Sequence, residues 1–166
     1  MMKFILAALT LTAGAAQADL AVRFDEGAPK DRFSLTNTGD CALPAFSVLF
    51  DIGAAPAGLI FDVTGSGAGV EVFQPLVMVA GQELLRDTPM VKDGDSAIMF
   101  DLDGLGVGAQ LAFTIDVDDT GGGREITVNG AEIQGASVTV TFGETALTGV
   151  FDDTARAVIA TAPCTS

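Results

Sequence analysis

The segment Ser137-Val138-Thr139-Val140-Thr141-Phe142 alternates polar and apolar residues without a fault and is built from β-branched and aromatic side chains. Successive side chains of an extended strand point to opposite faces, so this period fits a strand with one buried face and does not fit an amphipathic helix. Gly143-Glu144 then reads as the tight type II′ turn of a hairpin running to about Phe151, with Val140 facing Leu147 and with Thr139 and Thr141 on the solvent side. The same period recurs in Leu20/Val22/Phe24, Phe33/Leu35, Phe46/Val48/Phe50, Ile98/Phe100/Leu102 and Leu111/Phe113/Ile115/Val117. Twenty glycines punctuate these runs, as in Thr64–Gly69 and Thr120–Gly123. The expected fold is a single-domain, all-β antiparallel sandwich of two sheets and about ten strands. The one helical turn to consider lies around Gly81 to Arg86, and no internal repeat or linker divides the chain.

The first residues read as an address. Met1-Met2-Lys3 is a short positive end, Phe4 to Ala16 an apolar run, and Ala16-Gln17-Ala18 the small-x-small pattern that signal peptidase cuts. A cleaved signal peptide over 1–18 leaves a β-sandwich domain over 19–166. The run is too short to span a bilayer and no longer apolar run follows, so membrane insertion is not expected. The chain is expected in the periplasm or outside the cell.

Charge narrows the partners. The 166 residues carry 22 acidic and 8 basic side chains, a net charge of −14 with an isoelectric point near 4.1, and loss of Lys3 makes the exported chain more acidic still. Nucleic acid and anionic membrane would be repelled. No histidine is present, which removes Ser-His-Asp and Cys-His catalysis and His-ligated zinc.

Export puts Cys41 and Cys164 in an oxidising compartment, where they are expected to form a disulfide that closes most of the domain into one loop. The chain-entropy model gives such a loop roughly 4–5 kcal/mol. There is no Cys-x-x-Cys spacing to make the pair redox-active.

Seven aspartates, Asp93, Asp95, Asp101, Asp103, Asp116, Asp118 and Asp119, lie between Asp93 and Gly123 without a Lys or Arg among them. The alternation sets Asp101/Asp103 and Asp116/Asp118 on the solvent side or trailing ends of their strands. The Gly104–Gly108 link suggests that those strands are hairpin neighbours, so that the carboxylates converge. Calcium is the cofactor this pattern suits, since it takes six to eight hard oxygens in loose geometry. Asp116–Gly121, a strand end entering a glycine-rich loop, is the best single segment. The plainer alternative is a solvated acidic face built of turn-forming Asp. No segment matches a full calcium motif: Asp101-Leu102-Asp103-Gly104 lacks the spacing and closing Glu of an EF-hand, and Gly65–Gly69 lacks the aspartate of a β-roll repeat. Nor is Gly65-x-Gly67-x-Gly69 a phosphate cradle, because no helix follows it.

Two carboxylates alone suffice for glycoside hydrolysis. Sugar rings, however, are usually held on Trp or Tyr, and the chain has neither. Its eleven phenylalanines fall mostly at inward positions, Phe61 and Phe73 being less clearly placed. No enzyme activity is expected.

The segments Gly27–Phe33, Thr36–Gly39 before Cys41, Gly58–Gly65 and Phe113–Thr120 resemble a group of short exported alphaproteobacterial proteins labelled aggregation factor core proteins. The resemblance spans nearly the whole exported chain and implies calcium-dependent adhesion, with no residue roles to carry over. The leading expectation is thus an exported, non-enzymatic sandwich that binds calcium and serves adhesion or cell-surface interaction with a glycan or protein. The alternative is a glycan- or small-ligand-binding module without metal. A more distant one is a fimbrial-type subunit completed by a partner's strand.

Overall fold

Antiparallel pairing turns the alternating runs into two sheets. The computed structural model describes residues 19–65, 73–120 and 128–161. The proposed signal peptide, the Gly67–Gly69 stretch, Gly121–Gly123 and Cys164 lie outside the described residues.

The strands are β1 (Asp19–Asp25), β2 (Asp31–Asn37), β3 (Phe46–Asp51), β4 (Leu59–Asp62), β5 (Val77–Ala80), β6 (Ala97–Leu102), β7 (Gln110–Asp119), β8 (Ser137–Phe142), β9 (Thr145–Val150) and β10 (Arg156–Ala160). One sheet runs β10-β1-β2-β7-β4, with β5 also paired to β7. The other runs β6-β3-β8-β9. Among the described residues a single 3-10 turn, Gln82–Leu84, falls where the helical turn was expected. No helix among the described residues is long and apolar enough to cross a membrane.

The hairpin read from the sequence is present in its expected register, Val140 opposite Leu147 and Phe142 opposite Thr145. Gly143 takes φ 58°, the left-handed value that the first turn residue requires. On its outer face the Thr139 and Thr148 hydroxyls are hydrogen-bonded at 2.8 Å.

The inward faces of both sheets meet in one apolar core. Phe33 of β2, Phe50 of β3, Phe100 of β6 and Phe113 of β7 are fully buried. Phe113 stacks on Phe33 at 5.2 Å between centroids, meets Phe50 edge-on at 5.2 Å and lies 4.9 Å from Phe100. The Phe33 contact lies within one sheet, whereas those to Phe50 and Phe100 cross from sheet to sheet, and aromatic pairs of this kind contribute beyond their buried area. Phe61, unplaced by the sequence, is buried among them, while Phe73 is exposed.

The expected hairpin between the Ile98–Leu102 and Leu111–Val117 strands does not form, because β6 and β7 belong to different sheets. Leu105, in the middle of the glycine-rich link, is buried and bridges Leu43. Burying that leucine carries the chain across the end of the sandwich instead of turning it back. Asn37, also buried, fixes the crossing: its amide donates to the carbonyls of Cys41 at 2.8 Å and Leu105 at 3.0 Å, and its Oδ1 accepts from Gly39 N–H at 3.0 Å.

Candidate functional site

Because β6 and β7 part company, the seven sequence-predicted aspartates do not form one cluster. Asp101 and Asp103 are exposed on and just beyond β6 in the four-stranded sheet. Asp101 accepts from the Ser47 hydroxyl, and Asp103 pairs with Arg86 at 2.8 Å. The two carboxylates hold the Arg86 guanidinium above its ordinary pKa, Asp103 most strongly. The run from Asp93 to Gly123 contains no base, yet the fold brings one in from the segment after the 3-10 turn.

Asp116 and Asp118 have a different fate. On β7 they alternate with core-facing Ile115 and Val117, as the period demands, but the outer face is covered at this end: Asp116 is 6% exposed and Asp118 5%. Beside this end of β7, in the same sheet, runs β4, whose Asp62 stands in register with Asp116 and whose Ile60 stands in register with Asp118. Beside Asp62 the ladder opens around Gln74, whose backbone N–H donates to the Asp62 carbonyl and whose carbonyl accepts from Asp116 N–H, both at 3.2 Å.

Asp93 arrives from the other side. The segment Lys92–Asp95 is pinned along β4 by Phe61 N–H to the Asp95 carbonyl at 2.8 Å and Gly94 N–H to the Phe61 carbonyl at 2.9 Å. Asp93 Oδ1 then accepts from the backbone N–H groups of Val63 at 2.9 Å and Thr64 at 3.1 Å. Asp95 closes its own turn by accepting from Lys92 N–H at 2.8 Å. Asp119 is half-buried at the end of β7.

Two acidic residues that the sequence did not single out complete the picture. Asp31, 1% exposed at the start of β2, accepts from Gly27 N–H at 3.0 Å and from Val117 N–H at 3.2 Å. It supplies the bond that β7 loses where β2 ends, and this is a structural task. Asp62 is also 1% exposed, but neither of its carboxyl oxygens has a hydrogen-bond donor among the described residues, and Asp116 Oδ2 is in the same position.

Charge is consequently crowded. Burial, then a side-chain hydrogen bond with Asp93 and the charge of Asp93, then Asp118 and Asp116, push the Asp62 carboxyl up to about 7. Burial and Asp118 raise Asp116 to about 7. Burial raises Asp31 to about 7 against the pull of its two backbone bonds, with Asp116 and Asp118 adding to the rise. These carboxyls are near neighbours and not a closed ligand shell: among the described residues no group of three or more acidic or cysteine side chains is already gathered tightly enough to hold a metal.

Asp31 and Asp62 escaped detection because each stands alone outside the acidic run, Asp31 between the bases Lys30 and Arg32 and Asp62 between the apolar Phe61 and Val63. The available signal was the inward phase of Asp31 with Phe33 and Leu35, and the outward phase of Asp62 against Phe61. No protein-family model matches the chain, and no curated protein matches it.

Proposed function

We propose that the chain is an exported, non-enzymatic β-sandwich protein, closed by a Cys41–Cys164 disulfide, that binds calcium and serves adhesion or cell-surface interaction. The observation that carries the reading is the buried group of carboxyls on β4 and β7, crowded by one another, with no basic side chain among the charges that shift Asp62 or Asp116. Buried carboxylates need a compensating cation or a proton. Calcium is the hard-oxygen cation that an exported protein meets at useful concentration, and it tolerates irregular ligand sets. The absence of histidine supports a binding role over catalysis.

Beads coated with the exported chain are expected to aggregate, or to bind cell surfaces, in calcium, to disperse in EDTA and to be indifferent to magnesium. Behaviour independent of divalent cation would contradict the reading. Thiol titration of the unfolded, unreduced chain is expected to find no free thiol, and finding both would remove the disulfide from the account.

A metal-free ligand-binding module is favoured by a different feature, the exposed apolar side chains of Phe73, Val77 and Val79 on and before β5. Glycan or small-molecule binding that persists in EDTA and is lost in Phe73→Ala would support it. The fimbrial-type alternative asks for an apolar groove awaiting a foreign strand, whereas the core side chains from Leu20 to Ile159 are covered by the chain's own strands.

A further inference from the structure

We propose that the cation is held at the junction of β4, β7 and the Lys92–Asp95 segment, by Asp62 and Asp116 with Asp93 and Asp118, and not by Asp101, Asp103 or Asp95. The proposal rests on the calcium reading above and narrows it to a site that includes a residue outside the Asp93–Asp119 run.

Asp62 and Asp116 carry carboxyl oxygens without a donor among the described residues, and Asp93, whose Oδ1 already accepts from Val63 and Thr64, and Asp118 join them by position. Asp95 accepts from Lys92 N–H, Asp101 from Ser47 and Asp103 from Arg86, so each already has a donor. Asp31 has one backbone N–H on each oxygen. Asp62 differs: it is 1% exposed, neither oxygen accepts from a donor among the described residues, and what acts on it is a carboxyl–carboxyl hydrogen bond with Asp93, which exists only while one of the two holds a proton, and the charges of Asp93, Asp118 and Asp116, all acidic. A buried polar group is ordinarily hydrogen-bonded, and one left without a donor loses its hydration for no return. A cation supplies the missing partner to several oxygens at once.

The placement suits a hard divalent ion. Asp116 faces Asp62 across the ladder, Asp118 lies one step along the same face of β7, and Asp93 is tethered beside Asp62 by its bonds to Val63 and Thr64 N–H. Repulsion keeps such carboxylates from closing up unaided, and a calcium ion draws them together. Four carboxylates would give a strongly charged site, which raises affinity and favours calcium over magnesium, whose octahedron tolerates less irregularity.

The test is titration calorimetry with calcium chloride on the exported chain and on three variants: Asp62→Asn, Asp116→Asn and the double variant Asp101→Asn/Asp103→Asn. Each preserves side-chain shape, and a melt in EDTA verifies that each folds. The expected result is calcium binding by the parent and by the Asp101/Asp103 variant with matching affinity, and a loss of about tenfold or more in each of the other two. Calcium binding that survives both Asp62→Asn and Asp116→Asn would overturn the site while leaving the calcium reading intact. No heat of binding in the parent up to ten-millimolar calcium would overturn the calcium reading and the site with it.

Discussion

Asp62 of β4 and Asp116 of β7 stand in register across an antiparallel pair, both buried, and three of their four carboxyl oxygens lack a hydrogen-bond donor among the described residues. Like charges set opposite one another in a sheet oppose its pairing. In the cation-free protein this pair is therefore a cost carried by the fold. Asp62→Asn is expected to raise the melting temperature in EDTA at pH 8, by about 1–3 kcal/mol of stability, because an amide has no charge to bury and can donate to Asp93 or Asp116. Chemical denaturation of the two chains in EDTA would measure it. A less stable variant would mean that the carboxylate has a stabilising partner.

Stability should also depend on pH in a stated direction. Asp31, Asp62 and Asp116 titrate near 7 in the folded protein, against about 4 for aspartate in an unfolded chain. Between those values the native state holds more protons than the unfolded one, so stability falls as pH rises through the window. Their contribution is fully present below about pH 4 and lost above about pH 7. The melting temperature in EDTA is expected to be higher at pH 5 than at pH 8, and Asp62→Asn should flatten the slope. A kilocalorie of change moves the midpoint of a chain this size by about 2–4 °C. Asp152, whose carboxyl is held below its ordinary value chiefly by the Thr154 hydroxyl and by backbone N–H groups, acts in the opposite sense and at lower pH.

Strand phase was legible in the sequence and strand partnership was not. Val140 opposite Leu147 followed from a tight turn and an alternating run, both local. The expected neighbourhood of Ile98–Leu102 and Leu111–Val117 failed because a short glycine-rich link permits either a hairpin or a crossing between sheets, and the burial of Leu105 against Leu43 decides between them. The acidic residues suffered the same fate. Alternation set Asp116 and Asp118 out of phase with core-facing Ile115 and Val117 but on the solvent side, where the structure buries them; that β4 pairs with this end of β7, bringing Asp62 into register with Asp116, is long-range information that no local period contains.

The crossing between sheets depends on Asn37. Asn37→Ala is expected to cost about 1–3 kcal/mol by leaving the carbonyls of Cys41 and Leu105 without their donor. Asn37→Asp should cost more, about 3 kcal/mol or above, since it sets a carboxylate against those same carbonyls in a buried position. Urea denaturation of the two variants gives the order, and equal costs would show that the amide N–H groups are not what matters.

Edge strands β9 and β10 approach closely at Gly149, where an added Cβ would lie 2.9 Å from Ile159 Cγ1 and 3.0 Å from the Val158 carbonyl oxygen. Gly149→Ala is expected to destabilise by about 1–3 kcal/mol through overpacking against backbone that cannot easily move. Hydrogen exchange should show the loss first in β9 and β10, and unchanged protection there would mean that the two edges are free to separate.

The central claim is that the acidic junction takes calcium, and a thermal melt of residues 19–166, kept without reductant, tests it most directly. The chain is melted in EDTA, then in calcium from micromolar to ten-millimolar levels, with magnesium as the control. A ligand that binds only the folded state raises stability by about 2.7 kcal/mol at a hundredfold excess over its dissociation constant. The account predicts a calcium-specific rise in midpoint that disappears in Asp116→Asn/Asp118→Asn. A midpoint that does not move across that range, or that magnesium moves equally, would contradict it.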